Sequence, residues 1–266
     1  MTQKMTDEKI LLLQSNNHKT VKELVILLSI SPRTIAAWRK NLKLIAPYKL
    51  KGSRLKHTER EDINDFDLGW CIGLFAADGC LTKNRQNRSP INRIFLTLGI
   101  DDREMLEIFF TTLVTDFNKT DVKIIPPSIG QKDKAKYCAT LPLFETRIKQ
   151  ILQFNKKTYD MSIIHNEFDK KSPSFKIGFL RGVIDGDGHV SKSGKMISIV
   201  SASERFIDDI ITFYGGRKRK RKIGKCWDVF FNKKDVERLK SMGLNPPAPS
   251  VTLDRKTTRL NINRKI

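Results

Sequence analysis

Apolar residues spaced three and four apart mark helices along this sequence, and alternating ones mark the strands between them. Asp7 to Ser15 reads as a short amphipathic helix with Ile10, Leu11 and Leu13 as its apolar positions. Thr20 is placed to cap a second helix carrying Val21, Leu24, Val25 and Leu28. Ser29-Ile30 reads as a tight turn, and Ser31 caps a third helix with Pro32 at its first position. Ile35 and Trp38 take the core positions of that third helix, leaving Arg33, Thr34, Arg39 and Lys40 outward. From Ile45 to Asp67 the periodicity lapses. Pro47, Gly52, Ser53 and a run of charges make this a basic linker.

An internal repeat occupies the remainder. An apolar helix ending at Asp78 precedes strands over 80–84 and 93–100, a helix to about 114, strands over 122–125 and 137–141, and a helix over 144–154. A second apolar helix ending at Asp187 precedes strands over 189–191 and 196–201, a helix over 204–214, strands near 220–223 and 227–231, and a helix over 234–242. Each half is therefore αββαββα, and the fold class is α+β with a small all-α N-terminal domain. The expected boundaries are 1–45, a linker over 46–66, a first half over 67–158, an inter-half linker over 159–175 and a second half over 176–266.

Charge narrows the partner. Fifty Lys and Arg against 29 Asp and Glu give a formal net charge of +21, which points to a polyanion, most often nucleic acid. A membrane surface is the plain competitor, but no 18-residue apolar run and no signal-peptide pattern occur, so an intracellular, non-secreted protein is expected. The four cysteines form neither a CxxC pair nor a zinc-finger spacing and read as reduced thiols.

The ends of the two apolar helices carry the chemistry. The first runs Cys71-Ile72-Gly73-Leu74-Phe75-Ala76-Ala77-Asp78-Gly79, and the second Leu180-Arg181-Gly182-Val183-Ile184-Asp185-Gly186-Asp187-Gly188. Gly73 and Ala77 share one helix face, as do Gly182 and Gly186. Small residues at that spacing let two helix axes approach closely, and if they pack there Asp78 lies beside Asp187. Gly79 and Gly188 suit the left-handed residue that follows many helices. Two carboxylates at the negative ends of two helix dipoles conflict unless a divalent cation joins them. Ordinary amphipathic helices with a terminal aspartate are the alternative for one copy, and the duplication weakens it.

These segments resemble the two signature helices of the LAGLIDADG homing endonucleases in their single-chain form, over roughly positions 66 to 266. The resemblance implies two pseudo-symmetric halves forming a saddle on double-stranded DNA, and metal held at Asp78 and Asp187 with the adjoining Gly79 and Gly188. Mg²⁺ is the expected ion, with Mn²⁺ or Ca²⁺ able to substitute for binding. Two-metal hydrolysis of both strands follows from it. The first acidic position of the motif is Ala76 in one copy and Asp185 in the other. The family's basic residue after the last helix of a half matches Lys157, with Lys156 next; a solvated interdomain lysine is the alternative. The second half has Pro246-Pro247 there, so Lys225 or Lys136 substitutes or the strands are cut unequally. His189 reads as a groove-facing residue.

The hairpins fit DNA contact. Lys83, Arg85, Gln86, Arg88 and Arg93 in the first half, and Lys192 and Lys195 in the second, lie in stretches without Asp or Glu. Of the run 217–222, a strand directs alternate residues at the groove, which selects Arg217, Arg219 and Arg221. The N-terminal domain resembles a helix-turn-helix with Arg33, Thr34, Arg39 and Lys40 as groove candidates, a small protein-interaction domain being the other reading. The expected activity is a monomeric, site-specific, Mg²⁺-dependent double-strand DNA endonuclease without an obligate protein partner. A DNA-binding regulator of weakened activity and an RNA maturase are the alternatives. The termini lack the residues protein splicing requires.

Overall fold

The structure, a computed structural model, describes residues 6–16, 21–31, 34–35, 37–38, 42, 57–82, 93–125, 133–153, 160–221, 224–245 and 254–261. The chain divides into two compact units, residues 1–55 and 56–266. In the first unit, α1 (Asp7–Ser15) and α2 (Val21–Leu28) are followed by a turn in which Ser29 has a φ of 50°. The Ser31 hydroxyl then accepts from the Thr34 amide at 3.1 Å, as an N-cap does, and Thr34, Ile35, Ala37 and Trp38 are helical. Leu13, Leu24, Leu28, Ile30, Ile35 and Trp38 form its core. Leu11, apolar on the sequence pattern, faces outward, as does Ile26.

The second unit holds the repeat. Its first half comprises α3 (Asp65–Asp78), β1 (Gly79–Thr82), β2 (Arg93–Gly99), α4 (Arg103–Leu113), β3 (Lys123–Ile125), β4 (Lys134–Ala139) and α5 (Pro142–Ile151). β5 (Leu152–Gln153), β6 (Ser162–Ile163) and α6 (His165–Asp169) lead to the second half. That half comprises α7 (Pro173–Asp187), β7 (Gly188–Val190), β8 (Ile197–Ser201), α8 (Glu204–Tyr214), β9 (Arg217–Lys220), β10 (Trp227–Phe231), α9 (Lys233–Ser241) and α10 (Asp254–Asn261). The sheets are antiparallel and share one order, β1-β2-β4-β3 and β7-β8-β10-β9. Alternate residues of each strand face the helices: Ile94, Leu96 and Leu98 of β2, and Ile197 and Ile199 of β8, are buried.

The seam between halves is α3 against α7, and glycine sets their distance. A β-carbon on Gly73 would stand 2.0 Å from the Phe179 carbonyl oxygen, and one on Gly182 would stand 2.1 Å from that of Trp70. Gly69 and Gly178 repeat the relation one turn earlier, against the carbonyls of Phe175 and Phe66 at 2.2 Å each. The helices therefore touch backbone to backbone over two turns, and no residue with a side chain fits there.

Three sequence expectations change. Gly79 and Gly188 are not left-handed: their φ values are −85° and −86°, and the chain passes straight from helix into strand. Glycine is needed for room instead, since a β-carbon would meet the Phe75 ring at 2.2 Å or the Ile184 carbonyl oxygen at 2.4 Å. Residues 57–64, read as linker from their charge, pack on the first half. Glu59 bridges to Val114, and its carboxylate accepts from the amides of Leu143 and Phe144 at 3.0 and 2.8 Å, capping α5. His57 bonds Asp116 at 3.0 Å and the Tyr137 hydroxyl at 2.7 Å. The inter-half segment is likewise structured, with β6 paired to β5 and α7 capped by Ser172, four residues before the expected start of its half. Helix α10 has no counterpart in the sequence reading.

Candidate functional site

Asp78 and Asp187 are the last residues of α3 and α7, and the glycine seam brings those ends together. A β-carbon on Gly186 would stand 2.4 Å from that of Ala77 and 2.9 Å from the Asp78 Oδ2, so the second helix passes directly over the first carboxylate. The electrostatics record the crowding. Burial raises the Asp78 carboxyl to about 6, with Lys256 pulling down and Asp102 pushing up. Asp187 keeps an open side to solvent, yet surrounding protein and then Asp78 raise it to about 7, again opposed by Lys256. Both thus keep a proton to higher pH than an ordinary aspartate does.

Lys256 is the residue that sequence reasoning missed. It is buried on α10, and its Nζ donates to the carbonyls of Ile184, Asp185 and Gly186 at 2.5, 2.7 and 3.4 Å. A cation at a helix C-terminus satisfies its orphan carbonyls and offsets the dipole beside Asp187. The signal lay in the repeat. Lys157-Thr158 is followed by Met161, and Lys256-Thr257 by Leu260, the same spacing displaced past Pro246-Pro247. Thus the second half does hold a lysine near its aspartate, nine positions beyond Pro247, the residue that matches Lys157 in the repeat. Lys157 and Lys156 lie outside the described residues, and Lys136 stands on a sheet face over the Phe95 ring, 4.6 Å from its centroid.

Asp185, the first acidic position of the second motif, faces away from the site. Its carboxylate accepts from Arg181 Nε at 3.1 Å and from the Trp70 indole at 2.9 Å, with Arg181 and Asp185 both buried. Arg181 also donates to Asn245 Oδ1 at 3.0 Å and Thr257 Oγ1 at 2.7 Å, tying α10 to α7. The first half places Ile72 and Ala76 at these positions, so the buried ion pair is replaced there as a whole. That explains why the two copies differ at this position while both keep the terminal aspartate, Asp78 or Asp187.

Each aspartate is followed at once by the first strand of a sheet, and the sheet faces turned from the helices are basic. On the first, Arg93, Lys134 and Lys136 alternate with buried neighbours, and Lys123 pairs with Lys136 in register. Lys134 and Lys136 were not expected on this face because β4 was expected to begin at 137; it begins at Lys134. On the second, Arg217 and Arg219 lie opposite Phe230 and Asp228 and so share the open face, while Lys218 and Lys220 lie opposite Val229 and Trp227. Lys218 is spent on Glu204 and Asp208 of α8 at 2.7 Å each. The alternation expected for 217–221 is therefore present, though the strand starts three residues earlier than expected. Lys192, Lys195 and Arg221 are exposed, as is His189 at the start of β7. Arg33, Arg39, Lys40, Lys83, Arg85, Gln86 and Arg88 lie outside the described residues, and Thr34 is engaged with the Ser31 hydroxyl at 2.8 Å.

The donor set suits one kind of ion. Among the described residues no group of three or more His, Cys, Asp or Glu could hold a metal. Two crowded carboxylates with raised proton affinity fit a hard divalent cation completed by water and phosphate oxygens, and do not fit a closed protein cage. No helix of the described residues is long and apolar enough to cross a membrane.

Residues 174–213 match the family model of the LAGLIDADG-like domain. No curated protein sequence matches the chain. In fold the chain is similar to the homing endonuclease I-WcaI bound to its DNA recognition sequence, at 14% identity and a TM-score of 0.53, over 84% of this chain and 97% of that one. Mesophilic variants of the homing endonuclease I-DmoI are similar at 12% identity and a TM-score of 0.47, over 67% and 95% of the two chains. I-DmoI in complex with DNA and Mn is similar at 11% identity and a TM-score of 0.44, over 69% and 98%. At such identities the likeness concerns the fold.

Proposed function

We propose, for a chain that carries a LAGLIDADG-like domain and two copies of one αββαββα unit, that it is a site-specific, metal-dependent double-strand DNA endonuclease of the homing type. The observation that carries this reading is the meeting of Asp78 and Asp187 at the ends of twinned helices, each leading into a sheet with a basic open face. The carboxylates would hold Mg²⁺, which supplies Lewis-acid stabilisation of the scissile phosphate and its leaving 3′ oxygen. Lys256 keeps them nearer to ionisation than burial alone would allow. Arg93, Lys123, Lys134 and Lys136 in one half, and Arg217, Arg219, Arg221, Lys192 and Lys195 in the other, supply phosphate and base contacts in the major groove. Gly79 and Gly188 leave the room beside the metal that a side chain would fill, and Lys157 is the first-half counterpart of Lys256.

Because both halves lie in one chain and their faces differ in sequence, the target is long and asymmetric and the protein acts as a monomer inside the cell that holds the target. The N-terminal unit, with its capped third helix, adds affinity as a helix-turn-helix through Arg33, Thr34, Arg39 and Lys40.

The test is to incubate the full chain with genomic DNA in Mg²⁺ or in EDTA and to sequence all new ends. Paired ends at one long site, seen only with Mg²⁺, are the expected result. Asp78→Asn and Asp187→Asn should each stop cleavage while leaving target affinity within a few-fold. Normal cutting by either variant would refute the metal assignment.

A further inference from the structure

One carboxylate stands where a surface built only for phosphates would exclude it. Asp228 lies on the open face of β10 directly opposite Arg219 of β9, yet is only 1% exposed. Two arginines roof it over. Arg221 Nε donates to its Oδ1 at 2.7 Å, and Arg219 Nη2 donates to its Oδ2 at 3.2 Å. The Arg219 guanidinium also lies over the Phe230 ring, 4.4 Å from the centroid, where stacking holds it flat. Both arginine side chains remain open to solvent, at 65% and 47% exposure.

For gripping phosphates this arrangement is counterproductive. Asp228 cancels one of the two positive charges and so weakens the counterion-release affinity that phosphate contacts provide. For reading bases it is useful. A guanidinium pairs in two-point fashion with O6 and N7 of guanine in the major groove, and that needs a fork fixed in plane and direction. Ordering the forks before binding removes the entropy cost from the encounter. With Nε engaged, Arg221 keeps both terminal nitrogens for such an edge; Arg219 gives one hydrogen of Nη2 to Asp228 and keeps the other, which with Nη1 forms the same two-point edge. The open face of the first sheet has Lys123, Lys134 and Lys136 instead, and among its described strand residues no carboxylate.

We propose that Asp228 is a positioning residue that sets Arg219 and Arg221 to read two guanines in the half of the target bound by the second sheet. This rests on the DNA-cleaving reading above. Residues two apart on a strand are separated by about 6.6 Å, close to two base steps of about 3.4 Å, so the guanines fall about two base pairs apart.

The probe is a pool of duplexes of randomised sequence, bound by the full chain in Ca²⁺ at low salt and sequenced. The wild-type selection should contain the two guanines on one side of the site, and replacing either should weaken binding about ten- to a hundredfold. Asp228→Asn should hold total DNA as well as wild type or better, because it removes a negative charge, while discrimination at both guanines falls about tenfold. Arg221→Lys keeps the charge at an exposed position, so it tests the idea even if Asp228→Asn folds poorly; it should lose discrimination at one guanine only. Unchanged discrimination in both variants, or weakening spread evenly over every position, would overturn the proposal. A wild-type pool that yields no selected site would overturn the site-specific reading itself, which separates the two failures.

Discussion

Gly73→Ala asks the glycine seam to accept one methyl group. The added carbon would stand 2.0 Å from the Phe179 carbonyl oxygen, 2.9 Å from its carbon and 3.0 Å from the Val183 nitrogen. Ordinary carbon–oxygen contacts begin near 3.3 Å, so α3 and α7 must part by roughly 1.3 Å at this level. The obstructing atoms are helix backbone, which has no rotamer with which to move aside. Overpacking costs typically about 1–3 kcal/mol, and the immovable partner puts this site at about 3 kcal/mol. For a folded unit of this size that lowers the melting temperature by about 6–12 °C. The same spreading separates Asp78 from Asp187 by a sizeable part of an ångström, and a misplacement of about 1 Å can cost a hundredfold in rate. Calorimetry and single-turnover cleavage measure the two effects. Gly99→Ala is the control: its nearest neighbour would be Asp102 Oδ2 at 4.0 Å, so it should be neutral or slightly stabilising. A Gly73→Ala melting temperature within about 2 °C of that control would refute the backbone-contact account of the seam.

The metal-free protein should show the aspartates as a pH-dependent burden. Their folded values near 6 and 7 lie above the ordinary 3.8, so the folded state binds more protons and stability from these groups falls as pH rises from about 4 through 7. In EDTA, the Asp78→Asn/Asp187→Asn double variant should come closest to wild type at pH 4 and below and melt well above it at pH 8; an equal margin at both would contradict the raised values. Asp185→Asn leaves Arg181 buried without its counterion and should cost about 3–5 kcal/mol in urea unfolding, whereas Arg181→Ile with Asp185→Ala, which copies the first half, should recover part of that loss. A loss under about 1 kcal/mol for Asp185→Asn would show that the other Arg181 contacts suffice. Lys256→Met should destabilise by about 1–3 kcal/mol and also move the pH midpoint of cleavage upward, since Lys256 opposes the rise at both aspartates. A stability loss with an unmoved midpoint would leave Lys256 a purely structural cap.

The repeat was legible because it is written twice, and each copy is a check on the other. The boundaries of α8 and the partnership of Asp78 with Asp187 follow from apolar spacing and small residues that only a close helix pair requires. Charge was the weaker guide. Glu59 looked like linker chemistry, but its carboxylate caps a helix some eighty residues away, a pairing no local pattern encodes. Asp228 was hidden in an otherwise apolar strand, and its meaning depends on the register of β9 against β10. Lys256 escaped because the search for a second lysine stopped at the prolines, while the residue that fills the place arrives on a helix with little apolar periodicity.

The lysine on α10 is also the last part of the site to be synthesised. Asp78 leaves the ribosome first, Asp187 follows 109 residues later (187 less 78), and Lys256 a further 69 after that (256 less 187). During that last interval both carboxylates are made and their helices can dock, but the cation that favours their ionised form does not yet exist. A nascent chain therefore holds its aspartates closer to neutral than the finished protein does.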